Sequence, residues 1–362
     1  MKIAIVHDWL VVNGGAEKVL KDILKLYPNA DVFTLVDFLN KNDRNSILGG
    51  KTSKTSFIQN LPFAKKYFRN YLPLFPKAIE SLDLSRYDLI ISSSWAFAKG
   101  VKKRKDALHI CYCHTPIRYA WDLYTEYTFN LKQPKKLLVQ KTLQYIRNWD
   151  IKTLDRVDFF IANSNFVKDR INRIYKRDAT VIYPPVDIDK FKLYKKKENF
   201  YLTASRLVPY KKTKLIVEAF NQMPDKELIV IGSGEELEDI KKISKSNIKV
   251  LGYQKDEILI YYMQRAKAFV YAAIEDFGIT PIEAMACGTP VIALNKGGTS
   301  ETVIEGVNGV FFKNQNINDL INAVNYFEKC KFNYVMIRDS IIKFTKFKLH
   351  IKKYIEDKCK RF

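Results

Sequence analysis

At 362 residues the chain is long enough for two packed cores, and 47% hydrophobic with 28% charged residues excludes a disordered or low-complexity protein. A formal net charge of +22 makes a phosphate-attracting surface, so nucleic acid, an anionic membrane and anionic small molecules stand beside plain solvation as its explanations. The five cysteines, Cys111, Cys113, Cys287, Cys330 and Cys359, are odd in number and scattered, which reads as reduced thiols and not as a disulfide framework.

Lys2 to Asp8 reads as a first strand, buried on both faces as in a parallel sheet. Its early start and the lack of small-residue cleavage chemistry argue against a signal peptide, and no apolar run nears the roughly 18 residues of a membrane span. A cytoplasmic protein is expected. Asn13-Gly14-Gly15-Ala16-Glu17 then opens a helical pattern through Val19, Leu20, Ile23 and Leu24. Gly14 and Gly15 let backbone approach a ligand closely, although a plain tight turn fits them too. The spacing is neither G-x-G-x-x-G nor a Walker A loop. Ala30 to Val36 is a second strand. From Phe57 to Ile79, Phe57, Phe63, Tyr67, Phe68, Tyr71 and Phe75 alternate with Lys65, Lys66, Arg69 and Lys77 on a helix-turn. That mixture suits an interfacial contact with an anionic membrane, or a half-buried helix with a basic edge.

Asp88 to Ser93 and Leu108 to Cys113 are further strands. The second runs into His114-Thr-Pro-Ile-Arg118-Tyr119-Ala-Trp121-Asp122. A His ending a parallel strand is well placed for a ligand, with a structural role as the alternative. Cys111, Cys113 and His114 do not make a zinc site, because alternate strand positions suit tetrahedral ligation poorly and no second ligand pair follows. Val157 to Ala162 and Thr180 to Tyr183 close the first half. Pro184-Pro185 and the Lys-rich stretch 190–197 mark a linker.

The second half restarts at Phe200 to Ala204. Arg206 and Lys211 then flank a turn before a helix and could clamp a diphosphate, the Arg as a fork and the Lys as a point charge, although a solvated turn also fits. Glu227 to Ile231 and Ile248 to Leu251 are strands ending in glycine turns. Ala268 to Ile274 leads directly into Glu275-Asp-Phe277-Gly278-Ile279-Thr280-Pro-Ile-Glu283. Thr280 suits an N-cap and Pro281 the first helical position, with the helix running to Cys287 and stopping at Gly288. The turn and first helical turn, from Phe277 through Thr280, offer amides to a phosphate. Thr280 and Glu283 also fit a plain capping box. From Asp319 the chain reads as helices, Lys-rich from Lys343 to Arg361.

Glu275-x7-Glu283 resembles the E-x7-E motif of the retaining GT-B glycosyltransferases of family 4, and Arg206-x4-Lys211 resembles their diphosphate clamp. Where a glycine commonly follows that lysine, this chain has Lys212. The string His114 to Asp122 resembles a segment of bacterial mannosyltransferases of surface-polysaccharide assembly. The resemblance implies an α/β, GT-B fold, two Rossmann-like domains facing across a cleft. It places an acceptor-side domain at 1–185, a nucleotide-sugar domain at 186–344 and a last helix, about 345–362, packing back on the first domain. It further implies that Glu275 and His114 contact the transferred sugar and that Glu283 holds the ribose. Gly14, Gly15, Arg206, Lys211, Lys212, Phe277, Gly278, Ile279 and Thr280 would face the donor, and Arg118, Trp121 and Asp122 the sugar or acceptor side. The expected activity is hexosyl transfer, with retention, of mannose from GDP-mannose to a lipid-linked glycan at the inner face of the membrane. No cofactor is expected. No Asp-x-Asp site appears, so metal independence is expected too. A GT-B sugar-nucleotide epimerase is the first alternative and a basic nucleic-acid-binding protein the second; no nucleic-acid motif is present, so no nucleic-acid partner is expected.

Overall fold

The computed structural model describes every residue except Asn130 and Arg361, and of Glu126 and Tyr127 not the side chains. The end of the Lys-rich tract at Arg361 therefore lies outside the described residues. The chain divides into two compact units, Met1–Pro185 with Phe347–Phe362, and Val186–Lys346.

The first unit holds a seven-stranded sheet. Its strands are β1 (Ile3–His7), β2 (Asp31–Thr34), β3 (Lys54–Thr55), β4 (Leu89–Ser94), β5 (Leu108–Cys113), β6 (Phe159–Ala162) and β7 (Ala179–Val181), in the order β3-β2-β1-β4-β5-β6-β7. Every pairing is parallel. β4 and β5 are buried along their whole length, as a sheet covered on both faces requires. Alternation along β1 sorts the core. Ala4 and Val6 pack with Phe68, Phe75, Phe97 and Trp149, whereas Ile5 faces Val19, Leu20 and Ile23 of the helix Gly15–Leu26. The C-terminal helix Phe347–Cys359 adds Phe347, Ile351 and Ile355 to that second face.

The second unit holds six parallel strands: β8 (Phe200–Ala204), β9 (Glu227–Ile231), β10 (Ile248–Gly252), β11 (Ala268–Tyr271), β12 (Val291–Leu294) and β13 (Gly309–Phe312). Their order is β10-β9-β8-β11-β12-β13. Leu228, Val230, Ala268, Val270, Ile292 and Val310 join Val217, Phe220, Leu320 and Val324 of two covering helices in one core. Strand order reverses once in each sheet, between β1 and β4 and between β8 and β11. The carboxyl ends of such strand pairs are where open α/β sheets take ligands.

Three local expectations are corrected. Thr280 is not an N-cap: the helix runs Ile279–Ala286 and is capped by Gly278 in the left-handed region (φ 80°, ψ 71°), so it starts two residues before the expected first helical position at Pro281. The strand before it ends at Tyr271, so Glu275 stands in a loop and not at the strand's last position. The stretch 57–79 is not one helix-turn but four short pieces, Phe57–Asn60, Ala64–Tyr67, Phe68–Leu74 and Phe75–Glu80, with Pro73 inside the third. Phe68 and Phe75 are buried there, while Phe63 is 80% exposed and Tyr67 45%. No helix among the described residues is long and apolar enough to cross a membrane.

Candidate functional site

At the reversal of the second sheet, the loop after β8 meets the loop after β11. The chain leaves β8 through Arg206, makes a short 3-10 turn over Pro209–Lys211 and enters the helix Thr213–Phe220 through Lys212. The Lys211 ammonium donates to Glu275 Oε1, and the Tyr271 hydroxyl, at the end of β11, donates to Glu275 Oε2. Arg206 lies exposed, with Nη2 2.9 Å from the Tyr210 hydroxyl. Lys212 adopts φ 57° and ψ 28° and is exposed. That left-handed position is one a glycine holds without cost, which gives the family's preference at this point a physical reason.

The loop Glu275–Gly278 is pinned from behind. The Gly298 amide donates to the Glu275 carbonyl at 2.8 Å, and a Cβ on Gly298 would stand 2.3 Å from the Phe277 Cα. Only a residue without a side chain lets these two backbones touch. On the neighbouring side, the Leu207 amide donates to the Ser233 carbonyl at 2.9 Å, which ties the loop after β8 to the loop after β9. Ile279 and Thr280 are half-buried, Phe277 and Gly278 are buried, and Glu283 is 7% exposed. The first-turn amides of an α-helix have no intrahelical acceptor, and this helix begins at Ile279, in the same loop that carries Glu275. Cation, carboxylate, phenol and helix start thus converge at one sheet end. Tyr271 was not singled out in the sequence; its position four residues before Glu275, at the end of an apolar run, was the available signal.

In the first unit, His114 follows β5 and accepts the neighbourhood of a buried polar row. Its Nε2 is 2.9 Å from Ser93 Oγ, which is 3.1 Å from His7 Nδ1. His7 Nε2 faces Glu17 Oε1 at 3.6 Å, and Glu17 Oε2 accepts the Gly14 amide at 3.0 Å. Burial pushes the His114 ring down to about 3, so it is neutral near pH 7. Gly14 caps the helix that Gly15 opens.

The rest of the string folds inward. Trp121 Nε1 donates to Asp150 Oδ2 at 2.8 Å, and the Asp122 carboxylate pairs with Arg170 and, at 2.7 Å, with Arg173. Trp121 and Asp122 thus direct these polar atoms to partners on the helices Lys135–Lys152 and Asn165–Tyr175. Arg118 is half-buried. No group of three or more His, Cys, Asp or Glu side chains among the described residues could hold a metal ion.

Residues 13–190 match the family model described as Glycosyltransferase Family 4, and residues 186–345 that described as Glycosyl transferases group 1. An uncharacterized glycosyltransferase of Methanocaldococcus jannaschii is 33% identical over 169 residues, 45% of this chain and 47% of that protein. The alpha-1,3/1,6-mannosyltransferase of Candida glabrata is 24% identical over 84% of this chain and 78% of its own. A GDP-mannose-dependent phosphatidylinositol monomannoside mannosyltransferase of Corynebacterium glutamicum is 34% identical over 27% of this chain and 30% of its own. The matches span about half the length of the first curated relatives, 47%, 42% and 49%. Among solved structures, Anabaena HepE with UDP and glucose superposes over the whole of both chains at 22% identity and a TM-score of 0.71. The sucrose-phosphate synthase of Thermosynechococcus elongatus does so at 16% and 0.69. Two parallel Rossmann-like sheets, the two adjoining family matches and these neighbours agree: the chain belongs to the GT-B glycosyltransferases that join a family 4 domain to a group 1 domain.

Proposed function

We propose that this glycosyltransferase moves mannose from GDP-mannose, with retention of configuration and without a metal ion, to a lipid-linked glycan. The observation that carries the reading is the convergence of Lys211, Glu275, Tyr271 and the helix start at Gly278 on one sheet end. Loss of a nucleoside diphosphate builds negative charge on the leaving group, and only groups that bind this charge more tightly in the transition state speed the reaction. Lys211, Arg206 and the first-turn amides would supply such a field in place of a metal ion. Lys212 adds charge at the rim. Glu275 would accept hydroxyl groups of the sugar and Glu283 those of the ribose. In the first unit, His114 is the side chain proposed to contact the sugar, with Gly14 and Gly15 beside it.

Mannose is favoured by the names of the curated relatives in Candida glabrata and Corynebacterium glutamicum. Phe63 and Tyr67, exposed among Lys65, Lys66 and Arg69, support work beside an anionic lipid surface and hence a lipid-linked acceptor. The role would place the protein at the inner face of the cell membrane, in assembly of a surface polysaccharide.

Calorimetric titration of GDP, UDP and ADP, first in EDTA and then in magnesium, tests this. Tight binding of GDP in EDTA that disappears in Glu283→Ala is expected. UDP binding in place of GDP would move the donor to another sugar nucleotide, and a strict magnesium requirement would remove metal independence. If none of the three binds under either condition, the proposed donor site is wrong.

A further inference from the structure

The polar row behind His114 runs through three residues that the candidate site did not include. His7 and Ser93 are 0% exposed and Glu17 3%, each inside an apolar core where every hydrogen must have a direction. His7 closes β1 and Ser93 lies beside it on β4 in the parallel register, so the two side chains point the same way from neighbouring strands. The strand pair is the one at which the first sheet reverses its order. Glu17 reaches the row from the helix Gly15–Leu26, with its other oxygen on the Gly14 amide at 3.0 Å.

Donor and acceptor bookkeeping fixes the sense of the row. Glu17 Oε1 lies 3.6 Å from His7 Nε2, beyond hydrogen-bond reach, but a carboxylate on that side favours a hydrogen on Nε2 over a lone pair. The relay takes His7 as the neutral ring, whose Nδ1 then has a lone pair and accepts the Ser93 hydroxyl hydrogen across 3.1 Å. The Ser93 oxygen, having donated, accepts from His114 Nε2–H across 2.9 Å. One neutral tautomer of His114 remains, with Nδ1 unprotonated. We propose that Glu17, His7 and Ser93 form a relay of positioning residues that holds His114 as the Nε2–H tautomer and so presents Nδ1 as a hydrogen-bond acceptor for a substrate hydroxyl. Burial keeps the His114 ring neutral, so both nitrogens do not become donors. An acceptor at this point selects a ligand hydroxyl and repels a ligand carbonyl or phosphate oxygen. At metal sites, partners that fix a histidine's tautomer from behind are worth about 10–100-fold when removed.

The catalytic consequence rests on the glycosyltransferase reading above, but the tautomer does not. The chain has four histidines, His7, His109, His114 and His350, so long-range proton–nitrogen spectra of protein labelled with nitrogen-15 histidine can be assigned by replacing each ring in turn. In the free wild-type protein at pH 7, the expected pattern is His114 with a protonated Nε2 and a lone-pair Nδ1, and the same for His7. A His114 ring protonated at Nδ1, or at both nitrogens, overturns the relay. Ser93→Ala is expected to leave His114 exchanging between both tautomers, and Glu17→Gln to perturb the His7 signals first. An unchanged His114 pattern in folded Ser93→Ala protein also overturns it. With donor and acceptor supplied, Ser93→Ala should lower kcat about tenfold with little change in the donor KM. Failure of every nucleoside diphosphate to bind would instead remove the donor-site reading and leave the tautomer assignment standing.

Discussion

Lys211 and Glu275 form an ion pair although 64 residues separate them, and through it the loop after β8 is fastened to the loop after β11. The pair sits where the second sheet reverses its order, with the Tyr271 hydroxyl on the other carboxylate oxygen. An ammonium already compensated by a carboxylate is kept in place without a ligand and can turn part of its charge to a phosphate that arrives.

Lys211→Ala should therefore weaken nucleoside diphosphate binding by about 10–100-fold, the equivalent of a charge-assisted hydrogen bond worth about 1.5–3 kcal/mol. Tyr271→Phe keeps the ring and removes only the hydroxyl on Glu275, and should leave diphosphate affinity nearly unchanged while sugar transfer slows about tenfold. Titration and initial-rate measurements separate the two. Equal GDP affinity in wild type and Lys211→Ala would show that the diphosphate is held without Lys211.

Lys212 offers a test of strain. A left-handed backbone costs an ordinary residue about 1–2 kcal/mol, and glycine recovers that at the expense of about 0.5–1 kcal/mol of chain entropy. Lys212→Gly should thus stabilise the protein slightly, by about 0.5 kcal/mol, whereas Lys212→Val should destabilise it. Urea unfolding reads both. A Lys212→Gly variant less stable than wild type would mean that the exposed lysine makes a contact worth more than the strain.

A buried pair in the first unit has a larger effect. Lys99 Nζ lies 2.7 Å from Asp150 Oδ1, and the Trp121 indole donates to Asp150 Oδ2 at 2.8 Å. Lys99 is 1% exposed and Asp150 0%. Asp150→Ala would leave a buried ammonium uncompensated and should cost about 3–5 kcal/mol, seen as a lowered urea midpoint. Replacing Lys99 by Met in the same protein should recover much of that loss. A double variant no more stable than Asp150→Ala alone would locate the cost in Trp121 and its surroundings.

Much of this fold can be read directly from the chain because buried parallel strands appear as short apolar runs, such as Ala268–Tyr271 and Val291–Leu294. The loops were harder. Thr280, Pro281 and Glu283 fit the capping rules well, but Gly278 takes a left-handed conformation and starts the helix before them. Local rules cannot see that the loop is pressed against Gly298, which is twenty residues on. The relay from Glu17 to His114 was hidden for a related reason. It is assembled by the pairing of β1 with β4, and the only trace in the sequence is a His, a Ser and a Glu at positions that otherwise read as apolar. Trp121 and Asp122, which the resemblance sets on the sugar or acceptor side, also bond Asp150, Arg170 and Arg173, contacts between distant helices that no local pattern shows.

Acid should reveal the buried rings. His109 is fully buried, donating from Nδ1 to the Arg156 carbonyl at 2.8 Å and accepting the Ser92 hydroxyl at Nε2 across 2.8 Å. Burial pushes it down to about 4, although the Arg156 carbonyl and Asp158 pull the other way and Lys103 and Lys99 add to the fall. The unfolded ring, with a pKa of about 6.5, takes up a proton well before the folded one does. The folded state binds fewer protons between those values, so its stability is complete above about pH 6.5 and falls on acidification towards pH 4. For this ring the slope is about 1.4 kcal/mol per pH unit. His114, down to about 3, adds a loss of the same sign across the same window and slightly below it. Urea unfolding at pH 7, 6 and 5 should therefore show a midpoint that drops faster in wild type than in His109→Gln, which starts less stable because its amide keeps only part of the ring's hydrogen bonding. Parallel curves for the two proteins would mean that His109 is protonated in the folded state as readily as in the unfolded one, and that Asp158 outweighs its burial.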